Sequence, residues 1–390
     1  MAGAGPAGSR TALALARRGQ RVAVVDYRTR LGDKLCTGIV GVECAERFGV
    51  EPDLILHTAS SATVVIPSGK HVQVDRGGPQ AHVIDRVAFV ARQAELAATA
   101  GAEYMVGLRI VGVERLSQGV IVTCEEPSGR RRALSARSLV VATGLESPVP
   151  RMSGFAPATQ RAFAAQVELH GCDVEGVRVY LGHGMPRGHF GWVVPAGPGR
   201  ALAGVLGRGN GRESMNALRR ALQMDGVSWA ATGEDSAWGV PLRPAEKTYG
   251  ERVLMVGDAA GQVKPTTGGG IYYSMLCGEV AGEVLAEALD ADELGELRLS
   301  EYERRWKELL GRELRVGSVA RSIFERLDGR SLGILVELGA SNGLLRSSVS
   351  FDWHADLLTR ALGYRLFDAV LSPFRATVSA LSGAGRGSGE

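Results

Sequence analysis

Apolar positions change period early in the chain. The run Thr11-Ala-Leu-Ala-Leu-Ala-Arg-Arg-Gly19 has helical spacing, and Gly19 stands where a helix C-terminal glycine belongs. Val22-Ala-Val-Val-Asp26 follows as a short apolar strand closed by an acid. Residues 63–67 and 71–75 flank Ser68-Gly69 and predict a hairpin. Residues 86–100 read as a helix, and 109–114 and 120–125 as strands before a Pro127-Ser-Gly129 turn. Ser138-Leu-Val-Val-Ala142 and Arg252-Val-Leu-Met-Val256 are unbroken apolar runs, as buried strands require. Between them, 151–250 carries short β-like runs with many Gly and Pro. A glycine-rich turn opens a long helix at about 268–289, and from 300 the pattern is helical nearly to the end.

Dinucleotide-type segments therefore occur at the start, near 140 and near 255, with β-rich material between them. The pattern predicts an α/β chain with a Rossmann-like domain over 1–60, 80–150 and 250–295. An antiparallel β-sheet domain over 61–79 and 151–249 is inserted into it. A helical C-terminal region covers 296–381, and a Gly/Ser-rich tail without ordered structure covers 382–390.

Composition narrows the classes. Of 390 residues, 45% are hydrophobic and 22% charged, which suits a globular chain and excludes a disordered or fibrous one. A net charge of +3 gives no argument for nucleic acid as a partner. The five cysteines (Cys36, Cys44, Cys124, Cys172 and Cys277) form no CxxC and no metal-like spacing, so a reducing cytoplasm is expected and no metal is. No signal peptide and no apolar stretch of about 18 residues is found.

Two glycine motifs carry chemistry. Gly3-Ala4-Gly5-Pro6-Ala7-Gly8 opens a helix, and Asp26 ends the next strand at the position of an acid that binds a ribose hydroxyl. Glycines let the backbone approach a pyrophosphate, and the helix N-terminus stabilises its charge. Only Met1 and Ala2 precede this motif, so the first, central strand of the sheet is expected to be absent. The true start is therefore expected upstream, or else cofactor binding is expected to be weak. The second motif is Val256-Gly257-Asp258-Ala-Ala-Gly261, followed by Pro265-Thr-Thr-Gly268-Gly-Gly270-Ile271. A carboxylate at a strand end followed by glycines opening a helix suits a ribityl chain and a reduced flavin ring.

Gly3–Gly8, Asp26, Gly32-Asp-Lys-Leu-Cys36-Thr-Gly38, Ile84-Asp85-Arg86-x-x-Phe89 and Gly257–Ile271 together resemble the geranylgeranyl reductase family of flavoproteins. The resemblance covers about residues 1–290 in order. It implies the para-hydroxybenzoate hydroxylase fold, with FAD as cofactor. By this resemblance Gly3, Gly5 and Gly8, with Pro6 and Ala7 between them, lie at the pyrophosphate, and Asp26 lies at the ribose. Arg86 and Gly144 fall where the family meets the cofactor. Asp258 serves the ribityl chain, Gly257 and Gly261 beside it are expected at the cofactor, and Pro265, Gly268, Gly269 and Gly270 lie near the isoalloxazine. Cys36 matches the family's cysteine beside the flavin, where it tunes the ring or donates a proton; the plainer reading is a small buried residue. Phe190-Gly-Trp192-Val-Val-Pro195 resembles the family's substrate segment, with Val194 in place of the usual aromatic; the plainer reading is a core strand.

The implied activity is reduction of carbon–carbon double bonds in an isoprenoid or related lipid. The electron donor is left among ferredoxin, a quinol and NAD(P)H. A flavin monooxygenase or halogenase is the alternative. Ala142-Thr143-Gly144 lacks the acid typical of the hydroxylases, and Lys70 reads as a solvated turn residue rather than a halogenase lysine. A degenerate, non-catalytic flavoprotein is the third reading. The stripe 357–371 suggests either a lid helix or peripheral contact with a membrane, at the inner face.

Overall fold

The computed structural model describes residues 1–33, 36–75, 77–156, 160–209, 211–342 and 350–363. The tail 382–390 and most of the 357–371 stripe lie outside them. The described helices are α1 (Pro6–Arg17), α2 (Val42–Phe48), α3 (Arg86–Thr99), α4 (Val149–Met152), α5 (Gly211–Met224), α6 (Ile271–Asp290), α7 (Glu296–Phe324), α8 (Gly329–Ser341) and α9 (Ala355–Gly363).

Short apolar runs build a parallel sheet. Ala23–Asp26 pairs with Glu103–Val106, and Leu139–Val141 pairs with Val253–Met255, both in parallel. Tyr249–Gly250 adds an antiparallel edge. The place between Ala23–Asp26 and Leu139–Val141 is filled by Met1–Gly3, contrary to the expected gap. Ala2 bridges both Val25 and Val141 in parallel. Its N–H donates to Val140 O at 2.8 Å, its carbonyl accepts from Ala142 N at 2.7 Å, and Gly3 N donates to Val25 O at 2.8 Å. Three residues thus supply the hydrogen bonds of a central strand, too few to leave a pattern of alternation.

Helix α1 lies against α6 at close range because α6 presents Gly278 and Gly282 one turn apart. A Cβ at Gly278 would press on Ala7 O, and one at Gly282 would collide with Ala14 Cβ. Helix α7 crosses behind them. Its buried Trp306 donates Nε1–H to Thr248 Oγ1 at 2.9 Å, and Tyr302 donates to Met255 O at 3.1 Å.

The second large unit is an eight-stranded sheet. Its order is Ala231–Thr232, Arg161–His170, Arg200–Gly207, Phe190–Pro195, Val177–Leu181, Ser61–Val65 and His71–Asp75, with Ser236–Pro241 also on Arg161–His170. The hairpin expected at 63–75 is there, and it joins the sheet through its one parallel pairing, Ser61–Val65 with Val177–Leu181. One face is covered by α5, a helix the β-like reading of 151–250 did not anticipate; Met215, Leu218 and Leu222 pack on Val193, Val205 and Leu169. The other face packs Trp192, Val194 and Leu202 against Ile39, Ala59 and Val83 of a small antiparallel sheet made of Ile39–Gly41, Ala81–Ile84 and Ile55–Ala59. Lys70 sits in the hairpin turn and pairs with Glu337 at 3.1 Å, exposed. Among the described residues no helix is long and apolar enough to cross a membrane.

Candidate active site

A cleft of about 620 Å³ runs along the carboxyl ends of the parallel strands, where α/β sheets bind ligands. Four strand ends reach it: Gly3 after Ala2, Asp26, the segment Ala142-Thr143-Gly144, and Gly257. Gly3 has a positive φ of 100°, and a Cβ there would collide with Ala142 O. Gly8 cannot carry a side chain because it would strike the Gly3 carbonyl. Gly5 differs, since nothing lies within 4 Å of where its Cβ would be. It is the N-cap of α1, makes no side-chain cap, and is followed by Pro6 with no acid in the first turn. Free N–H groups at a helix start beside open space form an anion cradle.

Asp26 is fixed by both oxygens: Oδ2 accepts from Ala4 N and Oδ1 from Arg28 N, each at 2.9 Å. Next to it, Tyr27 lies between the guanidinium groups of Arg28 and Arg109, 4.4 and 4.9 Å from its ring centroid. Tyr27, Arg28 and Arg109 all line the cleft, and sequence reasoning passed over them. Arg86 is buried. It starts α3, lines the cleft and donates to Gly32 O, holding the cysteine segment in place.

At the other end, Gly257 and Asp258 form one helical turn after Val253–Met255, and Gly261 turns the chain back with φ 70°. A Cβ at Gly261 would collide with Arg243 O, so this glycine serves the turn and does not line the cleft. Gln262 Oε1 accepts Gly257 N–H at 2.8 Å. The loop closes on itself through Lys264 N to Gly269 O and Gly268 N to Lys264 O, at 3.1 and 2.9 Å. Asp258 stands beside Gly270, the N-cap of α6, and both line the cleft with Gly268. Pro265 instead faces α7, where Gly317 leaves it room.

This loop rests on a buried polar cluster that the sequence reading missed entirely. Lys264 Nζ donates to Phe351 O at 2.7 Å. Burial pulls its pKa down to about 8, against the upward pull of Asp352. His354 Nδ1 meets Thr266 Oγ1 at 2.9 Å, and burial, with the charge of Lys264, takes its pKa down to about 3, so it is neutral. Glu313 of α7 accepts from His354 N at 2.8 Å and Ala355 N at 3.0 Å, pinning the C-terminal segment beneath the loop.

Cys36 is half-buried on the cleft wall, while Cys44, Cys124, Cys172 and Cys277 are buried. Gly38 N–H points at its Sγ at 3.5 Å. Beyond it, strand register defines a bed on the face of the large sheet away from α5, joined to the cleft at Trp238. One row reads Trp238, Ala164, Leu206, Phe190, and the next reads Ser236, Gln166, Gly204, Trp192. The Trp192 ring lies over Gly204, where a Cβ would collide with it. Phe190 and Trp192 are 5.8 Å apart. Pro195 falls on the opposite face by alternation and is buried away from them. The bed meets the flavin-type loop at Gly268, whose Cβ would touch Val240 and Leu206.

The uncapped α1 terminus, the open space at Gly5, the held carboxylate of Asp26 and the glycine turn at Asp258 fit a flavin dinucleotide. Residues 1–309 match the family model described as FAD binding domain. Digeranylgeranylglycerophospholipid reductase 2 of Methanopyrus kandleri is 34% identical over 363 residues, 88% of this chain and 90% of that protein. Digeranylgeranylglycerophospholipid reductase of Methanocaldococcus jannaschii is 32% identical over 87% of this chain and 90% of that protein. In fold, a geranylgeranyl bacteriochlorophyll reductase-like protein from Thermoplasma acidophilum superposes with a TM-score of 0.84 at 22% identity, covering 96% and 97% of the two chains. The flavin-dependent brominase Bmp2 reaches 0.69 at 16% identity, covering 96% and 97%. Fold and site together define an FAD-dependent oxidoreductase. The chain belongs to the geranylgeranyl reductase family.

Proposed function

We propose that this enzyme saturates carbon–carbon double bonds in an isoprenoid-chain lipid. The bed carries the reading: an apolar strip in which Ala164 and Leu206 lie between Trp238 and Phe190, with the Trp192 ring laid over Gly204, and which abuts the loop at Gly268. Small residues between aromatic walls suit a flexible chain of methyl-branched alkenes. The relatives named as digeranylgeranylglycerophospholipid reductases support the lipid class.

Reduced FAD, when bound, supplies hydride to one alkene carbon. The chain supplies the rest. Gly3, Gly5 and the α1 N-terminus, with Pro6 and Ala7, hold the pyrophosphate, and Asp26 holds a ribose. Asp258 holds the ribityl chain, and Gly268 to Gly270 let the ring approach the bed. Cys36 gives its thiol proton to the second carbon and recovers one from solvent, with Gly38 N–H in place for the sulfur that remains. Aromatic walls keep water from the reacting carbons.

The reducing equivalents arrive from a separate donor, among ferredoxin, a quinol and NAD(P)H. Chemically reduced enzyme makes the test independent of which one serves. Incubated without oxygen with a geranylgeranyl lipid, it should add two hydrogens per double bond. Addition of oxygen to an aromatic substrate in air, with alkenes untouched, would give the reaction to the monooxygenase class instead.

A further inference from the structure

An isoprenoid lipid has a polar end, and the bed has one basic end. Just past the end of the strand that carries Leu206 comes Arg208, and Gly188 lies in the turn before the neighbouring strand that Phe190 opens. Arg321 of α7 closes this end. Its Nη2 donates to Gly188 O and its Nε to Glu325 Oε1, both at 2.8 Å. The same Glu325 oxygen accepts from Arg208 Nε at 3.0 Å. Arg321 is 3% exposed, yet its Nη1 has no hydrogen-bond partner. Its guanidinium lies 5.5 Å from the Phe324 ring, which meets Phe190 edge-on at 6.4 Å. Trp192, Phe190, Phe324 and Arg321 therefore form one continuous path from apolar to cationic.

Arg208 also donates from Nη2 to Gln160 Oε1 at 3.3 Å. Two guanidinium groups share one carboxylate oxygen. Burial holds His189 below its ordinary pKa, with the charge of Arg321 acting in the same direction and that of Glu213 against it. A guanidinium fixed on two nitrogens with the third free is oriented for an anion's oxygen. Leaving that donor unmatched in the folded chain is costly.

We propose that Arg208 and Arg321 form the subsite for the phosphate of an amphiphilic substrate, whose isoprenoid chain runs over Phe190 toward Gly268. The half-exposed Arg208 meets the phosphate first, and Arg321 supplies the buried donor. The assignment rests on the lipid-reductase reading above and adds what that reading leaves open, the polar end of the substrate.

The test compares a geranylgeranyl glycerolipid carrying a phosphate with the same lipid lacking it, in neutral detergent, for wild type and Arg208→Gln. Flavin absorbance reports that both proteins are folded and loaded. The wild-type KM for the phosphorylated lipid should be lower by roughly tenfold or more. Arg208→Gln should bring the ratio of the two KM values close to one. Arg321→Lys, which keeps charge but loses the fork, should give an intermediate ratio. Inorganic phosphate should compete with the phosphorylated lipid and leave the neutral one unaffected. A ratio near one in wild type, or one unchanged by Arg208→Gln, overturns the subsite. So does a ratio that responds to the substitution only on anionic vesicles, since that places the arginines at a membrane surface. If wild type reduces neither lipid, the lipid-reductase reading itself fails.

Discussion

Thr37 Oγ1 donates a buried 2.7 Å hydrogen bond to Gln166 Oε1, across 129 positions of sequence. Thr37 follows Cys36 in the FAD-binding half, and Gln166 is the polar residue in the floor of the bed. In the proposed mechanism this bond positions the Cys36 thiol. Gln166→Leu removes the acceptor and strands the hydroxyl. It should lower kcat on the order of 10- to 100-fold with FAD still bound. It should also speed alkylation of Cys36, the one half-buried thiol among five. Unchanged labelling together with unchanged kcat would show that the link positions nothing.

Cys36 itself is tested by Cys36→Ala. Loss of a general acid costs roughly 10²- to 10⁴-fold in rate. The flavin spectrum and lipid KM should stay close to wild type. A variant that keeps full kcat would assign the proton to solvent.

The glycines of the first motif should separate into two classes. Gly5→Ala meets open space at an ordinary φ of −72°, so thermal stability should hold while FAD affinity falls. Gly8→Ala drives a methyl into the Gly3 carbonyl and should destabilise the fold by about 1–3 kcal/mol. Equal melting temperatures for the two variants would contradict the geometry.

His354 makes the fold acid-sensitive. Its folded pKa lies near 3, below the ordinary 6.5, through burial and the charge of Lys264. The unfolded chain therefore binds the extra proton between pH 6.5 and 3, and stability falls with decreasing pH across that window. One such proton corresponds to about 1.4 kcal/mol per pH unit. Denaturant midpoints at pH 7 and pH 5 should diverge in wild type and converge in His354→Gln. An identical pH slope in both proteins would remove His354 from this role.

What the sequence disclosed was local. Gly3 to Gly8 with Asp26, and Gly257 to Ile271, carry their chemistry within short spacings, so their cleft was legible before any coordinates. Met1–Gly3 went unseen as a strand because three residues show no period, although their hydrogen bonds are those of a central strand. Helix α5 was hidden among glycines and arginines, though Met215, Leu218 and Leu222 keep helical spacing. The cluster of Lys264, Asp352 and His354 joins residues some 87 positions apart, and Trp238 reaches the bed only through the register of its strand. Pro195 belonged to a sequence motif, but alternation turns it from the face that Phe190 and Trp192 share.

The most direct measurement is mass spectrometry of a geranylgeranyl glycerolipid after anaerobic incubation with the dithionite-reduced, FAD-loaded enzyme. Stepwise gain of two hydrogens per double bond, strongly slowed in Cys36→Ala, is the predicted result. An unaltered lipid from enzyme whose flavin is bound and fully reduced would contradict the account.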